Sequence, residues 1–368
     1  MSVPQPSASD RPPSDGPNRG IPPARRRRDP GLHLRAAFSS YWYPALCVLT
    51  ALALVTLELV RTAQGATRWD WLLHSGAVVF LIALGAARRI PPAVKATVRR
   101  LRLVDEHGDP TPAAEQVLGA VQRLQRSYAR VGAVVGVVLM GVIWLWARGV
   151  SVVASTLFWL ELGAAGMAGF VVGGFVAYAR LGWILDELGL HPKVTPSHPD
   201  GAAGLRPVGA LYLRQALIVS LIGLFAGVWW LLFPFVGYAS WRAPYLAIVL
   251  ICIALEVIAL FVPLLAFHRH MVSERIRLLA EADVAVGRLS ESPETGWTTD
   301  DPMAAERERT WSRWQAIDTM PTWPIDARIR RRFTVSNLAM LLPFALQLVN
   351  APQIVQQASQ VLSGWSGP

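Results

Sequence analysis

The chain has 368 residues, of which 53% are hydrophobic and only 16% charged, with a formal net charge of +10. Soluble domains carry about a quarter charged residues, so this composition speaks against a soluble enzyme, and a mean hydropathy of +0.36 against a chain disordered throughout. Two cysteines, Cys47 and Cys252, cannot build a disulfide scaffold or by themselves a four-ligand zinc site.

Residues 1–30 hold eight prolines among Ser, Gly and Asp, and Arg25, Arg26, Arg27 and Arg28 stand near their end. Residues 1–40 read as a disordered, basic cytoplasmic tail whose arginines could hold anionic lipid. The first apolar stretch is too long and too far along the chain for a signal-peptide core.

Six apolar windows follow, at 41–60, 69–87, 131–147, 152–179, 216–238 and 245–267, and none contains Lys or Arg. About 20 helical residues match the roughly 30 Å of a bilayer's hydrocarbon core, so the windows predict six spans, with the long fourth tilted or projecting. Their continuity fits helices and not the short alternating segments of a β-barrel.

Orientation follows from the basic residues of the connections. The tail to residue 40 and the loops 88–130 and 180–215 hold twenty Arg and Lys, against four in 61–68, 148–151 and 239–244. The positive-inside rule then puts the N-terminus in the cytoplasm. Trp69, Trp71, Trp144, Trp146, Trp229, Trp230 and Trp241 fall near the predicted outer ends, and Tyr41, Trp42, Tyr43, Tyr128, Tyr178, Trp183 and Tyr212 near the inner ones, as two aromatic belts would require. The surplus is almost all arginine in a chain rich in Ala, Val, Gly and Pro, the bias of a GC-rich bacterial genome, so no nucleic-acid partner is expected.

The cytoplasmic side predicts a helical layer. A stalk over 88–130 carries the stripe Val117, Val121, Leu124 and Tyr128 into the third span, and Val272, Ile276, Leu279, Val286 and Leu289 form a second stripe after the sixth. These two stripes are expected to pack on each other or across a subunit boundary. Segment 268–325 reads as a cytoplasmic appendage with a linker over 290–302 and a helix presenting Trp311 and Trp314.

In segment 326–368, Arg328, Arg330, Arg331 and Arg332 precede 17 mostly apolar residues, Phe333 to Val349, interrupted by Asn337, Pro343 and Gln347. This stretch predicts a seventh span that carries the C-terminus outside, or else a re-entrant or interfacial helix.

Among residues that could carry chemistry, Glu161 and Glu256 lead. A carboxylate deep in a bilayer usually faces a bundle interior or wet cavity, and both acids are expected at similar depth, as a proton or cation site. The plainer reading makes each a protonated hydrogen-bonding tie between helices. Gly132 and Gly136, the ridge Ala165, Gly169 and Gly173, and the pair Gly223 and Gly227 recur every four residues, which predicts close helix packing. Glu58, Asp70 and His74, near Arg61 and Arg68, predict an interfacial ion-pair network. His191, His198, His268 and His270 share the cytoplasmic face without zinc spacing, and Pro199-Asp200-Gly201 reads as a turn.

The expectation is therefore an all-α, polytopic transmembrane bundle of a bacterial cytoplasmic membrane, passing an ion or small solute as a carrier or oligomeric channel. The alternative is a non-transporting scaffold or sensor that anchors a cytoplasmic partner-binding segment. No HExxH, Walker loop or dinucleotide fingerprint occurs, so neither an enzyme nor a cofactor is expected. Lipid, a homo-oligomer and a cytoplasmic protein are the expected partners.

Overall fold

Lipid offers no partners for backbone N–H and C=O groups, so long apolar runs must satisfy them internally as helices. The computed structural model describes residues 30–63, 71–105, 107–148, 156–232, 242–290 and 304–348, and its order is α1 (Pro30–Ala63), α2 (Trp71–Ala87), α3 (Ile90–Arg100), β1 (Leu103–Val104), α4 (Ala114–Arg148), α5 (Thr156–Ala179), α6 (Leu181–Glu187), β2 (His191–Pro192), α7 (Arg206–Leu232), α8 (Arg242–Ser290), α9 (Ala304–Asp318) and α10 (Ala327–Leu348). The chain divides into two compact units, Met1–Ala53 and Leu54–Pro368, and all elements after α1 belong to the second.

Six hydrophobic helices have the length and hydropathy to cross a membrane, drawn from α1, from α2 with α3, and from α4, α5, α7 and α8. The predicted all-α polytopic fold is thus what forms. A two-residue antiparallel pair, β1 with β2, departs from it by joining Leu103 to Pro192 and Val104 to His191. It staples the α3–α4 connection to the α6–α7 connection.

Helix ends depart from the apolar windows because helices continue past the membrane on polar surfaces. At about 1.5 Å per residue α4 extends roughly 52 Å, with the stalk and third span in one rod, and α8 roughly 73 Å. After α2 the chain breaks at Arg88–Arg89, and α3 restarts with Pro at its first positions, where no intrahelical N–H is missed.

The core sits at the end of the bundle capped by α3, α6 and the β pair. Ile90, Val94 and Val98 of α3 meet Val117 and Val121 of α4, Ile184 and Leu185 of α6, and Tyr212, Phe267 and Met271. The α4 stripe therefore packs against α3 and α6, whereas the extension of α8 takes α9 instead; Ile276 of the second stripe is 63% exposed. Within one chain the two stripes do not pack on each other, because α3 folds back onto the α4 stripe. Elsewhere the spans present open apolar faces such as Val134, Val138 and Leu139 on α4, the surface a lipid solvent accepts.

α4 and α5 run antiparallel in the closest helix contact of the fold. A Cβ on Gly132 would overlap the Gly169 carbonyl, one on Gly136 the Ala165 carbonyl, and one on Gly173 the Tyr128 carbonyl. Only glycine lets these backbones approach so closely.

Two expectations about aromatics change. Trp144, Trp229 and Trp230 are buried, as are Tyr178 and Tyr212, so these rings pack inside the bundle and do not form belts. Their polar tips find protein partners: Trp229 Nε1 donates to Ser75 Oγ at 3.1 Å, and Tyr212 Oη to the Tyr178 carbonyl at 3.0 Å. Trp71 is 37% exposed, while Trp69, Trp241 and Arg25 to Arg28 lie outside the described residues.

Candidate functional site

α10 is not among the six membrane-length apolar helices, because four arginines open it and Ser336 and Asn337 follow. It nevertheless runs parallel to α7 over nearly its whole length. Arg206 Nε and Asp326 Oδ2 pair at 2.8 Å at one end, and Trp230 and Phe344 rings lie 4.5 Å apart at the other. Between them a Cβ on Gly223 would meet Met340 Sδ at 2.6 Å and Cys252 Cβ at 2.8 Å, and one on Gly227 would meet Pro343 at 3.2 Å. Gly223 and Gly227 are thus the notch that admits α10 and α8 to α7.

Glu256 is enclosed where these three helices meet. It is 0% exposed, and Ser336 Oγ of α10 donates to its Oε1. Ser336 in turn lies 3.4 Å from Ser220 Oγ of α7, and Ser220 donates to the Ala216 carbonyl at 3.0 Å. Glu256 Oε2 has no hydrogen-bond partner, and neither does Nε2 of Gln215, a second buried polar side chain on α7. No basic side chain pairs with Glu256 among the described residues. Unsatisfied buried polar atoms are uncommon and cost about 1–3 kcal/mol each, so the orphaned Glu256 oxygen calls for a chemical reason. A buried carboxylate lacking a basic neighbour can be neutralised by a proton or a small cation.

Glu161 stands elsewhere. Its Oε2 accepts from Trp144 Nε1 at 2.6 Å, beside the edge-on Trp144–Phe158 ring pair between α4 and α5. Tyr178 and Tyr212 are at one level through their hydrogen bond, and from that level Glu161 lies roughly 25 Å up α5 while Ser220, beside Glu256, lies roughly 12 Å up α7. The two acids therefore differ in depth and have different helix partners. The similar depth expected from the sequence is not what the packing gives, since Glu161 is level with Trp144 of α4 and Glu256 with Ser336 of α10 and Ser220 of α7.

The remaining polar positions make local ties. Glu58 Oε1 lies 3.6 Å from Arg61 and 3.7 Å from His74, an ion-pair network as expected, with Asp70 and Arg68 outside the described residues. Asp200 accepts from the N–H groups of Ala202 at 2.9 Å, Gly204 at 3.0 Å and Arg206 at 3.2 Å, an Asx-type turn closed by His198. Burial opposes ionisation of Asp200, but these hydrogen bonds outweigh it and hold the carboxyl below its ordinary range. His268 stacks on Trp323, and His191 on His270, whose Nε2 lies 3.0 Å from the Pro192 carbonyl. Among the described residues no three His, Cys, Asp or Glu converge in a way that could hold a metal.

Sequence reasoning singled out Glu256 but missed Gln215, Ser220 and Ser336. The signal was present, since Ser220 lies within an apolar window, Gln215 immediately before one, and Ser336 beside the flagged Asn337. Asn337 itself only donates to the Phe333 carbonyl of its own helix at 3.0 Å. No family model, curated protein or solved structure matches the chain.

Proposed function

We propose that this membrane protein moves a proton or small cation through its bundle, with Glu256 as the exchanging site. The observation that carries the reading is an enclosed carboxylate with one oxygen held by Ser336 and the other unpartnered, among three helices, without a basic neighbour. Such a group must be neutralised by what it binds, and the Ser336–Ser220 pair supplies polar steps beside it. Glu161, tied to Trp144 at another depth, is a structural tie in this reading. The protein is non-enzymatic and resides in the cytoplasmic membrane of a bacterium with its N-terminus inside.

Proton-linked or cation flux in proteoliposomes tests this. Glu256→Gln, nearly isosteric, should abolish flux while the protein remains folded by its thermal transition; undiminished flux would refute the site. Glu161→Gln should leave flux unchanged.

A second reading is favoured by one observation. On α9, Trp311 is 52% exposed and stacks on Trp314 at 5.3 Å, while Trp314 Nε1 donates to Asp283 of α8 at 2.7 Å. An exposed aromatic held on a rigid arm suits a scaffold or sensor with a cytoplasmic partner. Deleting residues 290–320 separates the readings: a carrier keeps its flux, whereas a sensor loses its output.

A further inference from the structure

α3 is amphipathic and lies at the capped end of the bundle. Ile90, Val94, Thr97 and Val98 are buried against the core, and the opposite face exposes Lys95, Arg99 and Arg100. Between this helix, α4 and the last turn of α5 a crevice of about 220 Å³ opens, with Pro91 and Pro92 in its wall and Lys95, Gln122, Gln125 and Tyr178 as its polar lining. The volume is below the ~300–1,000 Å³ of ordinary small-molecule pockets, so it suits a headgroup and not a whole metabolite.

The lining is one of donors. Lys95 brings an ammonium, Gln122 and Gln125 bring amide N–H groups, and Tyr178 a phenol, with no carboxylate among them. Glu115, the acid at the foot of α4, is paired with Arg99 at 2.7 Å and acts on Lys95 only as a nearby charge, without an ion pair. Depth adds a second constraint. Tyr178 closes the apolar run of α5 and Ala87 that of α2, so the crevice lies where the membrane-length apolar surface gives way to charge. Arg123, Arg126 and Arg130 are exposed on the adjoining part of α4. Polar headgroups of lipids occupy that boundary, and a cluster of cations there attracts anionic ones.

The geometry points to a binding site for the phosphate group of an anionic phospholipid in the α3–α4–α5 crevice, with Lys95 as the charge partner and Gln122, Gln125 and Tyr178 as hydrogen-bond donors. The site is independent of Glu256 and of any transport.

The test uses the full-length, delipidated protein in neutral detergent. Retained phosphatidylglycerol is counted by native mass spectrometry, and the thermal transition is followed with added phosphatidylglycerol, phosphatidylcholine or inorganic phosphate. Phosphatidylglycerol should bind and stabilise more than phosphatidylcholine. Lys95→Ala should weaken it about fivefold, the loss expected for one cation near the headgroups, and Lys95→Arg should restore it. Lys95 is exposed, so these variants fold, and Arg123→Ala outside the crevice serves as the control for general charge. Equal binding of both lipids, or Lys95→Ala indistinguishable from Arg123→Ala, would overturn the proposal. Stabilisation by inorganic phosphate that depends on Lys95, without a preference for phosphatidylglycerol, would overturn the lipid and assign a free phosphate.

Discussion

The indole N–H of Trp144 donates to Glu161 Oε2 across 2.6 Å, so a tryptophan and an acid that sequence spacing places near a membrane boundary and in a membrane interior, respectively, form one tie between α4 and α5. The pair has the form of the plainer expectation for this acid, a hydrogen-bonding tie between helices. The Trp144 ring is withdrawn from the interface, and the acid's charge-bearing oxygen has a donor.

This tie predicts a stability effect without a transport effect. Trp144→Phe keeps the ring packing on Phe158 but deletes the donor, and should cost about 1–2 kcal/mol. Thermal unfolding in lipid nanodiscs should show the drop, with flux per folded molecule unchanged; loss of flux at unchanged stability would make Glu161 a transport residue after all.

Two glycines of α5 should behave oppositely. A Cβ at Gly169 would overlap the Gly132 carbonyl, whereas one at Gly163 meets nothing within 4 Å. Gly169→Ala should therefore destabilise by about 1–3 kcal/mol through forced separation of the backbones. Gly163→Ala should be neutral or gain up to about 1 kcal/mol from helix propensity. Equal effects in thermal unfolding would show that the helices are not in backbone contact.

The Asp200 turn has a defined acid limit. Its folded carboxyl is depressed, so the stability it contributes is complete above the unfolded value of about 3.9 and fades only as pH falls through the lower folded value. Protection of the Ala202, Gly204 and Arg206 amides, relative to their intrinsic exchange rates, should hold down to about pH 4 and fall progressively as pH drops further. Asp200→Asn should abolish that acid step; an unaltered step would assign it to another group.

α10 should cross most of the membrane beside α7. Cysteines placed at Arg328 and Phe344, one in the basic first turn and one beside Trp230, should react with impermeant thiol reagents from opposite sides of sealed vesicles. Labelling of both from one side would show an interfacial or re-entrant helix.

Much of this was readable from residue order. Apolar runs of bilayer length identify six helices because the requirement is local: each segment must satisfy its own backbone in lipid. Four-residue glycine spacing likewise marks a close-approach face within a single helix. The aromatics misled, since Trp229 near a span end and Tyr212 near another look interfacial until their burial against Ser75 and Tyr178 is seen. Packing of the α4 and α8 stripes on each other within the chain misled for a similar reason, since α3 turns back at Arg88–Arg89 and covers one of them.

Residue order alone thus determined the solvent of this protein and the rods that answer to it, because hydrophobic length and helix periodicity are properties of a continuous segment. Tertiary structure decided which rods meet. It brought Ser336, eighty residues beyond Glu256, onto that carboxylate, and parted Glu256 from Glu161. Contacts between distant segments depend on how backbones pack at notches such as Gly223, and no local pattern encodes which helix will fill them.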